Sequence, residues 1–171
     1  MKTIEYHFRD KSKWGEGEWQ EEADKIQWED ESTHLPCLIV RSPNGALCGY
    51  VGVYKDHPFY KLDYCRCNEY TASPNDLVDV HGGLTWSDFC RNEKHSICHV
   101  VEANEDDKVW WLGFDCAHAG DLAPYADLHF REGGIYRNMT YVKKGVERLA
   151  MQLKNIQEIG PVEYERRINN D

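Results

Sequence analysis

Residues 136–157 place the strongest constraint on the fold. Met139, Val142, Val146, Leu149, Leu153 and Ile156 recur at spacings of three and four, which puts them on one face of a helix. Lys143, Lys144, Glu147 and Arg148 fall on the other face. Gly145 in the interior costs about 1 kcal/mol relative to alanine, so packing of the apolar stripe must carry this helix. Gly160-Pro161 stops it, and residues 161–171 are expected to form a loose tail.

The stripe needs a surface to cover, and the middle of the chain supplies strands. Residues 35–41 are a β-branched run, Ser42-Pro43-Asn44-Gly45 is a turn, and residues 46–53 return, which makes a hairpin. Gly49 and Gly52 within the return strand point to a bulge or a close approach by a neighbour. A short strand is expected at 77–80, followed by His81-Gly82-Gly83 and a short helix from Thr85 or Ser87 to Arg91, with Ser87 as N-cap. Strands at 96–102 and 109–116 bracket the acidic turn 104–107, and long loops run over 54–79 and 118–134. The first thirty residues, charged and tryptophan-spaced, read as an arm or short helix laid over the core. The expected fold is α+β: residues 1–160 form a single domain, a mostly antiparallel sheet of about five strands packed by the long C-terminal helix.

Composition narrows the function classes. At 171 residues, 41% hydrophobic and 12% aromatic, the chain can bury a core and is not disordered. No apolar run approaches the ~20 residues of a membrane span, and the charged segment 1–10 predicts no secretory signal. A cytoplasmic location follows, and with it the expectation that the seven cysteines are free thiols. The net charge of −10 argues against a direct grip on nucleic acid. The acidic runs 16–30 and 102–107 read as solvated faces. The sharper alternative is an acidic, DNA-mimicking or protein-binding surface around Glu21, Glu22 and Asp24, interrupted by Trp14, Trp19 and Trp28.

Chemistry concentrates in two segments at strand ends, 80–85 (Val-His-Gly-Gly-Leu-Thr) and 114–121 (Phe-Asp-Cys-Ala-His-Ala-Gly-Asp). Gly82 and Gly83 permit a sharp turn whose amides can meet an anion or oxyanion. In one reading a small-molecule ligand sits on that turn, held by His81, Gly82, Gly83, Thr85, Asp115, His118 and Asp121, with Trp111, Trp110 or Tyr50 as stacking surface. In a second, His81, His118 and Asp121 or Asp115 hold a divalent metal, zinc for example, that activates water. In a third, Cys116 is a nucleophile with His81 as base, so that His81, Cys116 and His118 are the catalytic candidates. The bland alternative is that these side chains cap turns. A separate structural zinc would draw on Cys65, Cys67, Cys90 and Cys98 with His95 or His99, although Cys-x-Cys spacing is unorthodox for zinc. His57, before Pro58, reads as a satisfied loop histidine.

The blocks 35–41, 45–53 with His57-Pro58, 80–85 and 110–122 (Trp-Trp-Leu-Gly-Phe-Asp-Cys-Ala-His-Ala-Gly-Asp-Leu) resemble a family without an assigned activity that is found in bacteriophages, prophages and their bacterial hosts. The resemblance spans about residues 18–155. It implies a small cytoplasmic protein, often carried by mobile elements, and it transfers no catalytic residue. The functional expectation is a phage-type protein of the host cytoplasm that binds a small, nucleotide-like molecule and sequesters a signal in phage–host conflict. A metal-dependent hydrolase of such a molecule and an acidic interaction protein are the alternatives. Self-association is left open.

Overall fold

A computed structural model describes residues 3–67, 72–90, 97–99, 108–126 and 134–170. Among them, six strands form one antiparallel sheet: β1 (Ile4–Tyr6), β2 (Lys25–Glu29), β3 (Pro36–Arg41), β4 (Leu47–Val53), β5 (Trp86–Phe89) and β6 (Trp110–Asp115), in the order β1-β2-β3-β4-β6-β5. A one-turn helix α1 (Pro74–Leu77) precedes β5, and the long helix α2 (Met139–Ile159) and a shorter α3 (Pro161–Ile168) end the chain. The architecture is α+β, with α2 laid across β3 and β4.

Alternation along the strands sorts the core into two faces. Ile26, Trp28, Cys37, Ile39, Leu47, Val51, Leu112 and Phe114 meet the α2 stripe of Val142, Val146, Leu149, Ala150, Leu153 and Ile156. Gly49 is the close approach that the sequence suggested: a methyl there would stand 2.6 Å from Val146 and 2.8 Å from Phe114. The opposite face gathers Leu38, Val40, Cys48, Tyr50, Val109 and Trp111, with Trp86, Cys90 and Ile97 against them. The β3–β4 turn closes through Ser42 N–H to Ala46 O and Gly45 N–H to Ser42 O, with Gly45 at φ 94°.

Several local expectations are overturned. The N-terminal region is not only an arm or short helix: a single 3-10 turn at Glu18–Gln20 packs Trp19 inward, but the region also contributes β1 and β2. Its alternation is disguised because Lys25 and Gln27, both buried, occupy the second face, Lys25 donating to the Cys98 carbonyl. Residues 78–80 pair with no strand among the described residues. The preceding segment is α1, held by a capping box in which Ser73 and Asp76 exchange hydrogen bonds. The short helix expected at 85–91 is β5, and the Ser87 hydroxyl accepts the Tyr64 amide instead of capping a helix. Residues 161–168 are helical rather than a loose tail, because Pro161 at the first turn starts a new helix after Gly160. Two thiols expected to be free, Cys90 and Cys98, are joined as a disulfide. Most of the 96–102 strand, the 104–107 turn and residues 127–133 of the second loop lie outside the described residues.

The sheet, the N-terminal segment and α2 meet at Arg41. Its side chain is fully buried and donates to Asp24 (3.1 Å), Glu22 (2.9 Å), the Tyr136 hydroxyl (2.8 Å) and the carbonyls of Gly45 and Ala23. Asp24 also accepts the Phe8 and Arg9 amides and pairs with Lys11 at 3.0 Å. Glu22 accepts from the Tyr136 hydroxyl and, at 2.7 Å, from the Met139 amide at the start of α2. Burial raises the Asp24 carboxyl, but the Arg9 and Phe8 amides and Lys11 outweigh it, so the group is held below its ordinary value.

Replacing Arg41 by Met takes the guanidinium away from the buried Asp24 and the part-buried Glu22 and should cost about 3–5 kcal/mol in urea unfolding; a loss under 1 kcal/mol would show that the cluster is not central. The depressed Asp24 value means that the unfolded chain binds the extra proton. The stability Asp24 contributes is therefore present above about pH 4 and lost as pH falls through its folded value, a loss that Asp24→Asn should lack in acid titrations.

Candidate functional site

The His81 turn is fixed from three sides. The Asn75 side chain of α1 accepts the Leu84 amide at 2.6 Å, the Thr85 amide donates to Gly113 O of β6, and Asp79 is tied to α2 through Gln152. On the other segment, Asp121 forms a bridge with Ile135, which carries Arg137 to the same place. The two segments meet where His118 packs on Gly82. That residue sits at φ 68°, and any side chain there would overlap the His118 ring.

Hydrogen bonds then run in a line. The Asp121 side chain is only 2% exposed. Its Oδ1 accepts from Arg137 Nε at 2.9 Å, and its Oδ2 accepts the His118 amide at 3.1 Å and His81 Nε2 at 2.6 Å. Burial raises the Asp121 carboxyl, but hydrogen bonds from Arg137, His81 and the His118 amide hold it below the ordinary value. An ionised carboxylate only accepts, so the His81 proton sits on Nε2, leaving Nδ1 as an acceptor for the Tyr141 hydroxyl at 3.0 Å. The Arg137 guanidinium lies 4.9 Å from the Tyr141 ring centre. The order is Arg137, Asp121, His81, Tyr141.

His81 opens onto a cavity of about 220 Å³, lined also by Asp79, Val80, Phe114, Tyr141, Lys144, Gly145 and Arg148. Gly145, unfavourable in a helix, lies against Phe114: a methyl there would stand 2.8 Å from the ring, so the glycine lets Phe114 and the helix backbone share a floor. Arg148 pairs with Asp79. Lys144 makes no ion pair among the described residues. A larger open groove of about 800 Å³ elsewhere on α2 runs past Glu29, Asp30, Glu31 and Glu147, beside Lys143 and Arg148, and holds none of this chain of groups.

The residues expected at the site part company here. His81, Gly82, His118 and Asp121 converge, the two imidazole rings 5.5 Å apart. Asp115 lies 3.7 Å from His118 Nε2 and accepts the Ala117 amide, away from the cavity. Gly83, Leu84 and Thr85 spend their amides on Val80 O, Asn75 and Gly113 O, so these three offer an anion nothing. Trp111, fully buried on the opposite face of the sheet beside His99, is no stacking surface for this cavity. Cys116 is no nucleophile: burial first, then the nearby Asp121, Cys48 and Asp115, push its thiol far up, and it stays protonated.

The metal readings fit poorly. Both Asp121 oxygens already accept hydrogen bonds and face the Arg137 cation, so a divalent ion would be repelled where its ligands should converge. Among the described residues no three His, Cys, Asp or Glu side chains cluster as a metal site. The structural zinc set dissolves because Cys90 and Cys98 are bonded to each other and Cys65 and Cys67 are exposed thiols; His95 is outside the described residues. His57 accepts the Phe59 amide and donates to Leu153 O, a satisfied buried histidine.

Tyr141, Arg137, Lys144 and Arg148 were absent from the expected site. Part of their signal was present: 141, 144 and 148 follow helical spacing, and Lys144 and Arg148 fall on the face opposite the apolar stripe. Comparison of the chain with protein-family models, curated proteins and solved structures gives no match.

The line of hydrogen bonds makes His81 the Nε2–H tautomer. Long-range ¹H–¹⁵N spectra should show a protonated Nε2 and an unprotonated Nδ1 once the ring is neutral, and Asp121→Asn should scramble the two forms. A dominant Nδ1–H form in the unaltered protein would refute the arrangement.

Proposed function

We propose that this protein binds a small anionic molecule in the His81–Tyr141 cavity. The carrying observation is a cation with no ion pair among the described residues, Lys144, lining a cavity together with Phe114, Gly145 and an imidazole held by Asp121. Pockets that are mostly apolar with a few convergent polar groups are the usual form of small-molecule sites. A cavity of about 220 Å³ is below the ~300–1,000 Å³ of most ligand pockets. A nucleotide-like ligand would therefore seat one phosphate and the group beside it, leaving the rest outside. The resemblance to phage-associated proteins supports sequestration of such a molecule in the host cytoplasm. No helix among the described residues is long and apolar enough to cross a membrane.

The acidic-surface alternative has less support in the N-terminal segment, where Glu21 is exposed but its two companions are not free. Asp24 and Glu22 are turned inward to Arg41, and Trp14, Trp19 and Trp28 are buried. Charge reversal at Asp24 or Glu22 would break the Arg41 cluster, so of the three acidic residues only the exposed Glu21 can probe a surface.

Adenosine monophosphate should shift the His81 and Gly145 resonances in an NMR titration, while adenosine should not. Lys144→Ala should weaken binding about tenfold, the size of one charge-assisted hydrogen bond. Equal response to the uncharged nucleoside, or indifference to Lys144→Ala, would overturn the anion site.

A further inference from the structure

We infer that the cavity is catalytic: Tyr141 is a nucleophile activated by His81, and the substrate class is a small phosphodiester. The inference rests on the anion-binding reading above and adds chemistry to it. A nucleophile in hydrogen-bond reach of a base, the base oriented in turn by a third group, is the general signature of covalent catalysis. Here the hydroxyl of Tyr141 stands 3.0 Å from His81 Nδ1, and Asp121 holds Nε2 at 2.6 Å. Tyr141 is 41% exposed and lines the cavity, so its oxygen is open to a ligand. Arg137 anchors Asp121 on one side and lies over the Tyr141 ring on the other.

The anion-stabilising groups decide the substrate class. Acyl transfer builds its negative charge in the transition state and is served by backbone amides aimed at the new oxyanion. The amides of Gly83, Leu84 and Thr85 are already committed. A phosphoryl group brings its charge with it and is held by side-chain cations. Lys144 follows Tyr141 by three residues, one helical turn along the same face, and Arg148 follows Lys144 by four. Arg148 is matched by Asp79 and Arg137 by Asp121, which leaves Lys144 as the one unmatched cation among the cavity-facing residues described. One free positive charge matches the single negative charge of a diester. The overall charge of −10 disfavours a long nucleic acid and favours a small diester.

The steps balance without a further reactant. His81 Nδ1 takes the Tyr141 proton, and the imidazolium is stabilised by Asp121. The phenolate oxygen bonds to phosphorus as the bond to the departing alkoxide breaks, and His81 returns the proton to that alkoxide. Water, losing a proton to the same Nδ1, then attacks the phosphotyrosyl diester. The phenolate leaves and recovers its proton. Tyr141 and His81 are the catalytic residues, Lys144 binds the phosphoryl oxygens, and Asp121 is a positioning residue.

Bis(4-nitrophenyl) phosphate is the probe. The unaltered protein should release 4-nitrophenol over several turnovers, and rapid-quench mass spectrometry should find a nitrophenyl phosphate adduct on Tyr141. Tyr141→Phe, a change on the exposed face of α2, should keep its circular dichroism and its affinity for the probe, yet lose the adduct and at least 100-fold in rate. Asp121→Asn should lower kcat by a similar factor with KM little changed. Binding without release, or release without an adduct and unaffected by Tyr141→Phe, would overturn the catalytic inference and leave the binding site standing. Cleavage of 4-nitrophenyl acetate but not of the diester would overturn the substrate class. Failure of the probe to bind would overturn both the inference and the anion site beneath it.

Discussion

A guanidinium with no access to water organises this protein. Burying a charge is affordable only when it is paired and hydrogen-bonded, and Arg41 satisfies that condition through groups drawn from three parts of the chain: Glu22, Ala23 and Asp24 before β2, Gly45 in the hairpin turn, and Tyr136 before α2. The same Glu22 receives the first amide of α2. The position of the helix over the sheet is therefore set by electrostatics at its N-terminus as well as by apolar packing along its length. Because Arg137 and Tyr141 directly follow that anchored point, the geometry of the cavity inherits its accuracy from a cluster that takes no part in it.

The helix α2 does two jobs with two faces. Val142, Val146, Leu149 and Leu153 press on the sheet, while Tyr141, Lys144, Gly145 and Arg148 form the cavity wall. Gly145 lies between these roles. It weakens the helix and in exchange lets Phe114, a residue of β6, reach the helix backbone. Local propensity and fold disagree at this position, and such conflicts are expected where a site is built.

The sheet and its covering helix were legible because hydrophobic periodicity is a direct image of burial; residues 136–157 and 35–53 show it plainly. The approach of His81 to the 115–121 segment was legible from the glycine turn at 82–83, although the strand expected before that turn is absent among the described residues. What the sequence hid has particular causes. β2 buries Lys25 and Gln27, so its alternation looks polar. β5 pairs through Trp86 and Phe89, but Ser87 imitates a helix cap. Trp111 lies beside the cluster along the chain yet on the far side of the sheet, because strand neighbours point in opposite directions. Lys144 and Arg148 were assigned to the face away from the core because amphipathic reasoning sorts residues into inward and outward, and a cavity lip is neither.

The hydrogen bond from Met139 N–H to Glu22 joins groups 117 positions apart. During synthesis the whole sheet emerges before α2, and until then Arg41 lacks its Tyr136 partner while the apolar face of β3 and β4 lies bare. Contacts of such long range must meet their loop-closure cost before they return any stability, which makes folding slow and leaves the unfinished sheet prone to association. A chain cut short before residue 136 is thus more than an inactive fragment: it is an adhesive one.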